Sequence, residues 1–334
     1  MTALDNLKAK TEAVWNSFGQ QGIADLRSAI QAGGQLRTNA RRTLYRAFYG
    51  AFSTADDQPQ NTRHTLTFDE INTVLAGLGQ RQFAFLGNAN REISIQDQIF
   101  RNCNSSHQVN YPNLFWSLRG EQLYRCFYHF NFPPLQQQGD NVRLAVNVPL
   151  GRIPDAIDNF LSNSRNTYGK VISFKVGAPG LYGKPDTALI YAREPANQQD
   201  QADFTNLVGT VTTWAGNSQQ NTLRNWTHPL MEKLANGVAT ADDPPRRPAY
   251  AGISFTALRA VIATIVIGNL IRLGGGQAQV LGKTPAELAA DALEGQLDNY
   301  GIDATNPARN GVLPDQDTQN DIRAYALEVG AAVQ

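Results

Sequence analysis

Apolar residues recur at helical intervals over residues 1 to about 53. Leu4, Leu7, Val14, Trp15 and Phe18 share one face, a Gly33-Gly34 pair interrupts the pattern, and Leu44, Tyr45, Phe48, Tyr49 and Phe52 resume it as an aromatic stripe. Such a stripe is core packing, so the pattern predicts helices that each bury one face. The polar run from Ser53 to Thr65 reads as a surface loop, and FDEINTVLAGLG after it as another helix. Near Asn88 the period shortens. LFWSL and QLYRCFYHFNF suit strands of an antiparallel sheet. In NVRLAVNVPL the alternation is plain: Val142, Leu144, Val146 and Val148 form one face, and Arg143, Ala145 and Asn147 form a polar wall on the other.

GRIPDAIDNFLSNSRN follows as a helix opened by proline and aspartate. VISFKVGAPGLYGKPDTALIY then reads as two strands and their connection, and REPANQQDQADFTNLVGTVTTWAGN as a loop and a helix. AVIATIVIGNLI, from Ala260 to Ile271, is shorter than the roughly 20 residues a bilayer requires, so it is a buried helix or strand. Two more helices are expected around PAELAADALEGQLDNYG and QNDIRAYALEVGAAV, and no repeat period is visible. Helices alternating with hairpin-joined strands predict an α+β fold: an antiparallel or mixed sheet flanked by helices, with an N-terminal helical region over 1–87 and an α+β domain over 88–334.

Composition narrows the partners. A formal net charge of +0 provides no global field for nucleic acid, so a charged partner must be met locally. MTALDNLKAKTEAVW lacks the apolar run of a secretory leader, which points to a cytoplasmic protein with neither nucleic acid nor membrane as partner. Cys103 and Cys126 are too few for a disulfide framework; reduced thiols are the simpler reading, and a bridge between them stays open.

The sequence holds no Walker-type phosphate loop, nucleophile elbow or His-Glu-x-x-His motif, and its four histidines, His64, His107, His129 and His228, are scattered. The remaining chemistry is cationic: Arg143 and Lys175 on strand faces, Lys184 in the connection, Arg193 past the second strand and Arg259 on an apolar helix. If these converge they form a phosphate pocket, because guanidinium forks and ammonium donors match phosphate oxygens. The alternative is that each is a solvated edge charge or pairs with an acid such as Asp186 or Asp155. Lys175 sits between Phe174 and Val176 and so faces away from both. An ammonium held among cations and apolar walls is disfavoured by desolvation and by like-charge repulsion, the condition for a general base. Base and clamp together describe β-elimination from phosphoserine or phosphothreonine, with no metal or cofactor.

The order of motifs resembles the HopA-type effector family, which includes secreted bacterial effectors and the lyase subunits of class V lanthipeptide and thioamitide biosynthesis. The resemblance runs through LYRAFYGAF (44–52), FAFLGNAN (83–90), VRLAVNVPL (142–150), FKVGAPGLYGKPDTALIY (174–191), HPLMEKLANGVATADDPP (228–245) and SFTALR (254–259). It is also similar, more distantly, to the secreted phosphothreonine lyases. The resemblance implies a bacterial enzyme with Lys175 as base, and Asp186 and His228 as further catalytic residues. Arg143, Asn147, Lys184, Arg193, Arg259 and Tyr182 would bind phosphate and substrate. The substrate would be a peptide already phosphorylated by a separate kinase. Ala145 stands where the general acid is expected, leaving His129, His228 or Tyr182 as candidates, or the cationic clamp alone. Two rival readings share this pocket: a secreted effector acting in a host cell, and a non-catalytic phosphopeptide-binding module.

Overall fold

The protein is described here by a computed structural model covering residues 2–55, 127–131, 139–148, 185–216, 226–274 and 282–331 and most of 152–177. The helix expected at 68–79, the LFWSL strand, both cysteines, Tyr182 and Lys184 lie outside the described residues. The chain divides into two compact units. One comprises residues 1–54, 229–232 and 241–334, and the other 55–228 and 233–240. The first and last parts of the chain therefore fold together.

In the first unit, α1 (Ala3–Ala32) begins at a capping box. Thr2 accepts from the Asp5 amide at 3.1 Å while Asp5 accepts from the Thr2 amide at 2.8 Å, so two otherwise orphaned donors are satisfied. The helix breaks at Gly19, whose φ of 64° and ψ of 177° only glycine adopts readily. After Gly33, α2 (Gly34–Phe52) carries the expected stripe, with Leu44, Tyr45, Phe48 and Phe52 buried. The apolar run becomes α4 (Phe255–Arg272), capped by Ser254 and buried on every side from Phe255 to Gly268, as befits a helix without a polar face. α5 (Pro285–Glu294), opened by a Thr284–Glu287 capping box, packs on α1 and α4, and α6 (Gln316–Val329) packs on α2 and α4.

The second unit is built on a six-stranded sheet in the order β1-β3-β4-β2-β6-β5. Its strands are β1 (Phe127–Asn131), β2 (Asn141–Val146), β3 (Val171–Gly177), β4 (Ala188–Arg193), β5 (Glu232–Ala235) and β6 (Val238–Asp242), with the first residue of β5 and the last two of β6 belonging to the first unit. Pairings β1–β3, β3–β4 and β4–β2 are antiparallel. β5 and β6 meet across Asn236-Gly237, with Gly237 at φ 69°, the positive angle a two-residue hairpin turn requires. On one side of the sheet Phe174, Ile190 and Leu144 lie in register under Phe160, from the helical positions within 156–167. Phe160 in turn meets Trp214 of α3 (Gln198–Gly216) edge to face at 5.0 Å. β2 is central, so both its faces are buried: Arg143 is 6% exposed and Asn147 0%. The polar wall expected on this strand exists, but it faces the interior.

Candidate functional site

The register of four strands arranges the other face of the sheet into rows. His129, Lys175, Leu189 and Ala145 are directly opposite one another from β1 to β2, and the next row holds Asn131, Ser173, Tyr191 and Arg143. Tyr191 is therefore straight across from Arg143 and diagonal to Lys175, both within reach of long side chains. The Arg143 guanidinium carbon lies 5.2 Å from the centre of the Tyr191 ring and Lys175 Nζ lies 5.1 Å from it. Arg143 is buried, while Lys175, Tyr191 and Asp186 are half-buried.

These contacts set the ionisation of Tyr191. Burial alone would raise the phenol, but the positive charges of Arg143 and Lys175 outweigh it and hold Tyr191 below its ordinary value of 10.0. Asp186 opposes them with its negative charge. Tyr191 is the residue that sequence reasoning passed over. Its strand was legible, but its importance comes from cross-strand register, and a terminal tyrosine in TALIY looks like any strand aromatic.

The other expected site residues are placed more widely. Asn147 Nδ2 donates to Trp226 O at 2.9 Å and so ties the segment leading into His228 to the end of β2. His228 itself is 2% exposed. Arg193 Nη1 donates to Asn141 Oδ1 at 2.5 Å and Gly139 O at 3.1 Å, bracing the entry to β2. Arg259 belongs to the helical unit, where Nε donates to Pro307 O at 2.9 Å and the guanidinium stacks 3.9 Å over Phe255. Among the described residues no group of three or more His, Cys, Asp or Glu could hold a metal ion. What the sheet face offers is two cations, a phenol and a nearby carboxylate.

No protein-family model matches the chain, and no curated protein matches it by sequence. By fold it is similar to an effector protein from Pseudomonas syringae pv. syringae strain 61, at 15% identity and a TM-score of 0.50, over 86% of this chain and 97% of that one. It is also similar to an effector protein from Pseudomonas syringae pv. tomato strain DC3000, at 15% identity and a TM-score of 0.45, over 91% of this chain and 100% of that one. The resemblance to effectors expected from the motif order thus holds at the level of the fold.

Proposed function

We propose that the protein is a lyase that eliminates phosphate from phosphoserine or phosphothreonine in a peptide. The supporting observation is the convergence of Lys175 and Arg143 on one sheet face around a single phenol. In this reading Lys175 removes the Cα proton and Arg143 holds the phosphate as negative charge builds on it. Lys184, Tyr182 and Arg259 are carried as further phosphate ligands by the resemblance alone. The peptide reaches the enzyme phosphorylated by a separate kinase, and the product is a dehydroamino acid, as in lanthipeptide or thioamitide maturation.

The test is to incubate the protein with phosphoseryl and phosphothreonyl peptides and follow loss of phosphoric acid by mass spectrometry. Binding without any elimination, in the wild type, sinks the lyase in favour of a phosphopeptide-binding module. A second reading, favoured by the fold likeness to a Pseudomonas syringae effector, keeps the chemistry and moves the peptide to a host cell. Genomic neighbours separate the two: a kinase and a short Ser/Thr-rich precursor gene for biosynthesis, a chaperone gene for secretion.

A further inference from the structure

Elimination of phosphate needs a proton donor as well as a base; in the row that holds Lys175, Leu189 and Ala145 cannot donate, and His129 on β1 is the rival donor. The next row supplies Tyr191, diagonal to Lys175, whose Nζ lies 5.1 Å from the centre of its ring, and facing Arg143. Resting on the lyase reading above, we propose that Tyr191 is the general acid of the elimination and works with Lys175 as a proton-recycling pair. Lys175 Nζ takes the Cα proton, and the C–H electron pair becomes the Cα–Cβ double bond. The Cβ–O bond breaks with its electrons on the departing phosphate oxygen, and that oxygen receives the Tyr191 Oη proton. Lysine is then an ammonium and tyrosine a phenolate. The proton passes from Nζ to Oη, restoring amine and phenol. Nothing is consumed but the phosphopeptide, and the products are a dehydropeptide and hydrogen phosphate.

Two features of the site favour this assignment. A phenol whose ionisation is eased by neighbouring cations gives up its proton more readily than an ordinary tyrosine, which suits it to a leaving group that must be protonated as it departs. Arg143, directly opposite, is placed to stabilise both the phosphate and the phenolate left behind.

The experiment compares wild type with Tyr191→Phe, which keeps the ring and removes only the hydroxyl, on a phosphoseryl peptide and on the matching O-sulfoseryl peptide. Sulfate is a weak base and departs without a proton, so only the phosphate reaction needs the acid. Phosphate release by the variant is expected to fall by ~10²–10⁴-fold, the usual contribution of a positioned acid or base, and sulfate release far less. Tyr191→His, which restores a proton donor, should recover part of the phosphate reaction. Equal losses on both substrates, unchanged phosphate release, or a loss that appears instead in His129→Gln overturns Tyr191 as the acid while leaving the lyase standing. A wild type that eliminates neither group overturns both.

Discussion

In the helical unit, Lys8 meets Asp291 at 3.0 Å and Glu294 at 2.7 Å, Arg309 meets Asp242 at 2.9 Å and Glu232 at 2.8 Å, and Arg41 meets Glu328 at 2.6 Å. On the sheet face Arg143 and Lys175 both lie near one phenol, Tyr191, on which the Asp186 carboxylate also acts. Tyrosines record the difference. Burial pushes Tyr45 and Tyr250 of the helical unit up to about 12, whereas at Tyr191 the cations overcome burial and the shift is downward. Tyr168 of the sheet unit, which packs edge to face on Phe204 of α3, is also raised to about 12, by burial first. The contrast therefore belongs to one face of the sheet, not to a whole unit.

The sharpest break of this comparison is Lys175→Ala. Elimination from a phosphoseryl peptide should fall by ~10²–10⁴-fold while the far-ultraviolet circular dichroism spectrum is retained; a variant that still releases phosphate at the wild-type rate removes Lys175 from the chemistry. Next in size is Phe48→Ala, on the core side of α2. Denaturant unfolding should show a loss of about 3–5 kcal/mol from the cavity left behind, with Tyr191 titrating as before. Arg143→Gln is expected to do the reverse: a modest change in stability, but a rise in the pH at which the Tyr191 phenolate absorbs, read as the difference from Tyr191→Phe. An unmoved titration would mean that Arg143 does not act on the phenol.

The smallest effect is on alkaline stability. Tyr45 and Tyr250 hold their protons more tightly folded than unfolded, so between their ordinary value of 10.0 and about 12 the unfolded chain binds fewer protons and folding free energy declines. The stability present below that window should be lost progressively across it. Tyr45→Phe should flatten the decline in Tm with pH; a slope identical to wild type would show that Tyr45 does not titrate with unfolding.

The pattern along the chain was enough to find the helices at both ends, β2, β3, β4 and α3, because each carries a strong period of its own. β5 and β6 escaped notice although Asn236-Gly237 is a hairpin signal, since EKLA and VATAD are short and only weakly alternating. Lys175 was identifiable as out of place in an apolar strand, and Arg143 as part of a polar wall. Their meeting at Tyr191 was not, because it depends on pairing residues 143 and 191, and no local preference encodes which strands become neighbours. The two-unit division was hidden for the same reason: a boundary drawn along the chain cannot express a unit assembled from both its ends.

That interleaving bears on how the chain is made. During synthesis, α1 and α2 leave the ribosome with Leu7, Leu44, Phe48 and Phe52 exposed, while the rest of their unit begins again only at Pro229. At 5–20 residues per second the wait is roughly 10–40 s. For that interval two amphipathic helices have only each other to cover their apolar faces, so the nascent N-terminus is the segment where a holding chaperone would change the yield of folded protein most.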